Sequence, residues 1–369
     1  MDAQALDREL LKLSLSPIAA WLDDPEVSDI LVYGSRNVYV RRRGTGFEGV
    51  RASWLSDADL MTAAKTVGRQ MARRLDSREP ILDARLPDKS RVSIIVDPCY
   101  NRGACIAIRK FPEQHFTWQD LLDFGTIDQT GIGILESLVC LGKNILISGG
   151  TGSGKTTLLN CLCSFIPAKD VVVTVEDARE ISLSNELWVA LETKHAVDTE
   201  DRDVTLRDLV RTSLRMNPRW IIVGEVRGPE ALDLVRAFNT GHCGAGTIHA
   251  NSGYDSLLAL ETLILQSGLD IPARGIKEMV SRAIHVVVQM DQLPDHSRRL
   301  VEIAEVEGLD YESSASFPCY KLRQLYQFEP DENPSRAGRF TVCESPSWLS
   351  DSHHRLTKEA HASTSKICS

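Results

Sequence analysis

The sequence predicts an α/β protein with a mainly parallel sheet, preceded by a smaller α+β domain. Three observations carry that prediction. From Asn144 to about Asp310, short apolar, β-rich runs alternate with helical segments, as in strands joined by crossover helices. A glycine-rich stretch, Gly149-Gly150-Thr151-Gly152-Ser153-Gly154-Lys155-Thr156-Thr157, lies between one such run and a helix. The first 110 residues follow another pattern, in which paired strand signals flank one long helix.

The elements follow in order. Ile18 to Asp24 reads as a helix stopped by Asp24-Pro25. Ile30-Leu31-Val32-Tyr33 and Val38-Tyr39-Val40-Arg41 read as a hairpin about Gly34-Ser35-Arg36-Asn37. Asp57 to Asp76 has apolar positions at helical spacing, with Ser56 as N-cap. Val92–Val96 and Ala104–Ile108 read as a second strand pair. The spacing divides the chain into an N-terminal α+β domain (1–110), a linker opened by Phe111-Pro112 (111–130), a nucleotide domain (131–310) and a C-terminal extension (311–369) with a mobile end. Trp118 to Cys140 is mostly helical. Ile145-Leu146-Ile147-Ser148, Val171-Val172-Val173-Thr174-Val175 and Trp220-Ile221-Ile222-Val223 are continuous apolar runs, the mark of strands covered on both faces.

Composition limits the class. Hydrophobic residues make up 43% of the 369 and charged residues 25%, as in an ordinary globular protein. The net charge is 42 − 51 = −9, which argues against a general nucleic-acid coat, although net charge hides patches and leaves a local basic groove open; direct nucleic-acid binding is not expected. No apolar run approaches the roughly 20 residues that span a bilayer, and the N-terminus lacks a signal-peptide pattern. The expected location is cytoplasmic, with docking on a membrane left to partners. The nine cysteines are scattered without a C-x-x-C pair and read as reduced thiols.

Gly149 to Thr156 fits the G-x-x-x-x-G-K-[ST] phosphate-loop pattern. A triphosphate is a dense anion, and only small residues let backbone N–H groups wrap it closely. Gly150, Thr151, Gly152, Ser153 and Gly154 would supply that wrap. Lys155 would reach the β- and γ-phosphates, Thr156 would hold Mg²⁺, and Thr157 would continue the helix whose positive end faces the anion.

Two acid-ended strands follow. Glu176-Asp177 ends the first, where an acid could hold Mg²⁺ through water or orient a nucleophile. Asp177 could equally cap the next helix. Glu225 ends the second, in Val223-Gly224-Glu225-Val226-Arg227. It would orient or polarise the attacking water and help hold Mg²⁺, or else it pairs with Arg227 for structure alone. Thr240 to Asn251 packs three glycines and two histidines, His242 and His249, into twelve residues. That suggests a tight turn beside a ligand, although a lone His is more often structural. Arg85, Arg91, Arg102, Arg109 and Lys110 crowd the strands of the first domain. Most surface arginines are simply solvated, but one could clamp a phosphate from across a domain gap.

In this order, the phosphate loop, Glu176-Asp177, the Glu225 strand and the histidine segment resemble the Walker A, Asp box, Walker B and His box of the type II/type IV secretion ATPase superfamily. Leu214-Arg215-Met216-Asn217-Pro218-Arg219, Arg227-Gly228-Pro229-Glu230-Ala231, Ile106-Ala107-Ile108-Arg109-Lys110-Phe111 and Val301–Val306 add to the likeness, which covers about residues 15–330. It implies a RecA-like P-loop ATPase domain behind a PAS-like N-terminal domain, and ATP and Mg²⁺ as ligands. It also implies a homohexamer docked on inner-membrane platform proteins at the cytoplasmic face. By position it implies catalytic roles for Glu225, Glu176 and Lys155. It further implies nucleotide contacts from His242 and His249, and phosphate contact from Arg109 or, less closely matched, Arg91 and Arg102. The histidine segment is not followed by paired cysteines, unlike the general-secretion branch. Ala107–Phe111 and Tyr320–Phe328 resemble the Flp/Tad pilus and conjugative traffic branch. A RecA- or helicase-like nucleic-acid motor and a nucleotide-binding regulator share the core pattern and stand as alternatives.

Overall fold

The computed structural model describes residues 13–42, 45–71, 73–110, 116–194, 202–312, 318–330 and 338–350. These fall into two compact units, one within Met1–His115 plus Ala196–Arg202, the other within Phe116–His195 and Asp203–Ser369.

The first unit is a six-stranded antiparallel sheet with helices over one face. β1 (Val27–Tyr33) and β2 (Val38–Arg42) form the expected hairpin, and β3 (Phe47–Val50) extends it. β4 (Ile81–Arg85), β5 (Arg91–Val96) and β6 (Ala104–Arg109) complete the order β3-β2-β1-β6-β5-β4. Alternation decides what is buried. Ile30, Val32, Val40, Ile94, Ile106 and Ile108 turn to a core shared with Leu60, Ala64 and Val67 of the Asp57–Gln70 helix. Ser56 caps that helix by accepting from the Asp59 N–H at 3.2 Å. The helix stops at Gln70, six residues short of the expected end.

The second unit holds a nine-stranded mixed sheet. β7 (Ile145–Gly149), β8 (Val172–Glu176), β9 (Trp188–Glu192), β10 (Trp220–Val223), β11 (Cys243–His249) and β12 (Val286–Gln292) run parallel. β13 (Arg298–Asp310), β14 (Cys319–Glu329) and β15 (Arg339–Val342) continue one edge antiparallel. The order is β15-β14-β13-β12-β7-β11-β10-β8-β9. The apolar runs are explained by two cores, one on each face. Ile145 and Ile147 of β7 and Trp220 and Ile222 of β10 join the Lys155–Cys163 and Gln129–Cys140 helices. Leu146, Ile221 and Val223 turn instead to the Glu230–Asn239, Gly253–Leu265 and Ala273–Ala283 helices. Each fully buried Leu or Ile contributes roughly 1.5–3 kcal/mol, so both faces stabilise the sheet.

Two sequence-drawn boundaries move. The segment read as linker supplies Leu121, Ile127 and the capped Trp118–Asp123 helix to the second unit's core, so the division falls near residue 115 rather than 130. β14 and β15 are an integral sheet edge. Tyr326 is fully buried, and its hydroxyl donates to the Asp128 carboxylate at 2.7 Å, tying β14 to the N-cap of the Gln129–Cys140 helix. The expected mobile C-terminal end beyond 350 lies outside the described residues.

Candidate functional site

Because β7, β8, β10 and β11 are parallel, their carboxyl ends open on one edge, where such sheets place ligands. The glycine loop leaves β7 there. A Cβ on Gly149 would run into the Met290 carbonyl of β12, so only glycine lets the chain turn at that point. Gly154 sits at φ 97° as the N-cap of the Lys155–Cys163 helix, with no side chain closing the helix end. The N–H groups of the first turn therefore remain for an outside acceptor. Thr156 and Thr157 lie half-buried in that turn.

Lys155 is buried, and its Nζ donates to the Gly149 and Gly150 carbonyls at 3.0 and 2.8 Å. Burial pushes its pKa down; Glu225 opposes that shift and Arg227 adds to it. The third Nζ contact is His249 Nδ1, at 3.3 Å. An ammonium only donates, so Nδ1 is the acceptor and Nε2 carries the hydrogen. Nε2 lies 2.7 Å from Glu225 Oε1. Arg227 holds the other Glu225 oxygen and reaches Asp177 Oδ2 at 3.1 Å. A chain of contacts thus runs Lys155–His249–Glu225–Arg227–Asp177, joining the ends of β7, β11, β10 and β8. Burial alone would raise the Glu225 pKa, but the Arg227 hydrogen bond and charge, with His249 and Lys155 alongside, hold it below the ordinary value.

Glu176 is buried at the end of β8. Its Oε1 accepts from the Glu180 and Ile181 N–H groups at 2.8 and 3.0 Å. Its Oε2 has no hydrogen-bond partner among the described residues. Burial pushes its pKa up to about 7, against those two donors and with help from the Glu180 and Glu192 charges. A Cβ on Gly224 would stand 2.9 Å from Glu176 Cγ, so the glycine before Glu225 makes room for the second acid.

The two histidines separate. His249 is the last residue of β11, beside Gly149 of β7, whereas His242 precedes the strand's first residue. Seven residues of strand put them about 20 Å apart. The His242 ring faces the Ala237 carbonyl at 3.1 Å and the Thr240 hydroxyl at 3.4 Å. His242 is therefore withdrawn from the phosphate-loop site of this chain. The expected tight turn is confined to residues 240–242. Gly244 lies within β11, where a Cβ would strike Phe238 and the Ile221 carbonyl, so it serves close packing.

The first unit's arginines also divide. Arg91 and Arg109 are register partners on β5 and β6. Arg109 pairs across β1 with Asp29, its Nε 3.3 Å from the carboxylate, and Arg41 reaches the same carboxylate at 2.6 Å. Arg102 lies before the start of β6, beside Gly34 and Asp57. Arg102 and Arg109 stand at opposite ends of one strand, about 20 Å apart. They do not form one clamp, and Arg102 is withdrawn from the Arg91–Arg109 group.

Sequence reading missed three contributors to the loop. Arg298 Nε on β13 donates to the Gly152 carbonyl at 2.8 Å. Gln289 of β12 is buried and accepts from Ser148, and the Met290 carbonyl packs on Gly149. The missing signal is long-range: each lies more than 130 residues from the loop it touches.

A mainly parallel α/β sheet with a glycine loop, a buried lysine and two acid-ended strands is the arrangement in which phosphate sites are commonly built. Residues 12–347 match the family described as type II/IV secretion system protein, and the chain belongs to that family. An uncharacterized Methanocaldococcus jannaschii protein is 32% identical over 330 residues, covering 89% of this chain but only 57% of that relative's length. The type IV secretion system protein PtlH of Bordetella pertussis is 30% identical over 342 residues, 84% of this chain and 99% of PtlH. The solved structure of the Legionella pneumophila ATPase DotB superposes with a TM-score of 0.56 at 18% identity, covering 82% of this chain and 81% of DotB, and shows a shared fold.

Proposed function

We propose that the chain is the ATP-hydrolysing motor of a type II/IV secretion or Flp/Tad-type pilus assembly system. The observation that carries this reading is the contact chain from Lys155 through His249 to Glu225, which wires the phosphate loop to a carboxylate two strands away. Family membership and the PtlH relative support the secretion context. In this reading the second unit is the RecA-like P-loop domain and the first is the PAS-like N-terminal domain.

The residues present fit Mg·ATP. The Gly149 cradle excludes a side chain, and the helix end beyond Gly154 has no side-chain cap. Lys155 already holds backbone carbonyls in a position suited to phosphate oxygens. Gly150 to Thr157 would wrap the phosphates, while the Thr156 hydroxyl, and the Glu225 carboxylate directly or through water, would hold Mg²⁺. Bound Mg·ATP supplies the γ-phosphoryl group and a cation that neutralises its charge. Glu225, ionised because Arg227 and His249 flank it, accepts a hydrogen bond from the attacking water and orients it. Lys155 moves its donors from the loop carbonyls to the phosphates, which frees His249 Nδ1 to report occupancy to Glu225. Glu176, buried beside Gly224 with its Oε2 unpaired, is available to receive a proton. Arg109, with Arg91 as its register partner, is the arginine this reading assigns to phosphate contact. The working form is a homohexamer, peripheral on the cytoplasmic face of the inner membrane and docked on platform proteins.

The test is phosphate release by purified protein with Mg·ATP. The wild type turns over, and Lys155→Ala falls by about 1,000-fold or more. Turnover of Lys155→Ala at the wild-type rate would overturn the reading.

A further inference from the structure

Arg227 does more than keep Glu225 ionised, because its exposed side chain is tied down at both ends. Its two terminal nitrogens go to carboxylates on different strand ends, Glu225 after β10 and Asp177 after β8. Both attachment points are braced. The Arg227 and Gly228 N–H groups donate to Glu230 Oε1 at 2.7 and 2.8 Å, and Glu230 is itself buried. The Val226 N–H donates to the Thr247 carbonyl at 2.8 Å, fixing the stem to β11. At the far end the Thr193 hydroxyl donates to the Asp177 carbonyl at 3.1 Å, fixing it to the end of β9.

An exposed ion pair contributes little stability by itself. Geometry is the better reason for such a built arrangement. Arg227 holds Glu225 Oε2 by a hydrogen bond, whereas Oε1 lies 2.7 Å from His249 Nε2 as an ion-pair contact without hydrogen-bond alignment, so Arg227 is the group that orients the carboxylate before any ligand arrives. A planar guanidinium bridges two carboxylates at once, which a lysine ammonium on its flexible stem does poorly. A cavity of about 270 Å³, lined by Asp177, Thr193, Thr205, Arg227 and Glu230 among others, opens beside the bridge and leaves the guanidinium room to move.

We propose that Arg227 is a positioning residue for Glu225, and that Asp177 acts on Glu225 only through Arg227. The two acidic strand ends then form one unit in which Asp177 anchors, Arg227 spans and Glu225 faces the phosphate loop. This inference rests on the proposed hydrolytic role of Glu225.

The experiment is a double-mutant cycle on Arg227→Gln and Asp177→Asn, read three ways in the full chain. Steady-state phosphate release gives kcat. Equilibrium titration with a fluorescent ADP analogue gives affinity. Thermal melting without nucleotide gives the coupling in the unloaded protein. Arg227→Gln is expected to lower kcat on the order of 10–100-fold, as a mispositioned group does, with ADP-analogue affinity within about threefold of wild type. Asp177→Asn is expected to lower kcat by a smaller factor. The double mutant is expected to be no slower than Arg227→Gln and to melt no lower. Arg227→Lys, the variant to use if the glutamine protein does not fold, is expected to lie between wild type and Arg227→Gln. A parallel loss of affinity and kcat would make Arg227 a direct phosphate ligand and overturn the inference. Multiplying effects in the double mutant would overturn the Asp177 route. Glu225→Gln separates the two levels. If that variant turns over normally, the hydrolytic reading fails. If it is inactive while Arg227→Gln is normal, the positioning role alone fails.

Discussion

The two sheets place functional side chains by different rules. In the nine-stranded sheet, four parallel strands deliver the glycine loop, Glu176, Glu225 and His249 to one edge, although these residues span 100 positions of sequence. In the six-stranded antiparallel sheet, successive strand ends alternate, so nearness in sequence separates side chains. Arg102 and Arg109 flank the same strand and point to opposite ends of the sheet. Arg91, which is 18 positions from Arg109, is its register partner. A parallel sheet collects a site by strand direction, whereas an antiparallel sheet collects one only along a cross-strand row.

The arginines give the sharpest way to break that contrast. If the row rule governs phosphate contact, Arg109→Ala lowers phosphate release on the order of 10–100-fold, and Arg102→Ala changes it by no more than about twofold. Equal losses from both would show that position along the strand does not decide the role. The smaller effect concerns Glu176, the group placed deepest by the parallel sheet. Its folded pKa, about 7, lies above the ordinary 4.5, so the folded state keeps a proton that the unfolded chain releases. The stability this contributes is full below about pH 4.5 and is lost as pH rises through 7. Glu176→Gln, which keeps the Oε1 acceptor without the charge, should match wild type near pH 4. At pH 8.5 it should be more stable, by on the order of 2–3 kcal/mol in urea unfolding. Equal midpoints at pH 8.5 would place Glu176 in a wetter setting than its burial indicates.

Much of the parallel sheet and its site was legible because the signals are local. A strand, a glycine loop and a helix start lie within 20 residues, and Glu225 directly follows its strand. His242 was misplaced because a glycine-rich segment reads as a turn, whereas Gly244 is required by the packing of Phe238 against β11. Residues 319–342 looked like an extension because the composition shifts near Glu312. The pairing that makes β14 part of the sheet is with β13 and is invisible in composition. Arg298 and Gln289 were unreadable for the same reason, since a strand neighbour more than 130 residues away leaves no local pattern. The linker was drawn too long because Leu121 and Ile127 reveal their burial only once the helices they pack against are in place.

The central claim is that the parallel edge is a hydrolytic site with Glu225 as its working carboxylate. The most direct measurement is phosphate release by Glu225→Gln set beside its affinity for a fluorescent ADP analogue. The account predicts a loss of turnover of at least about 100-fold with affinity within about threefold of wild type. Wild-type turnover in that variant would contradict it.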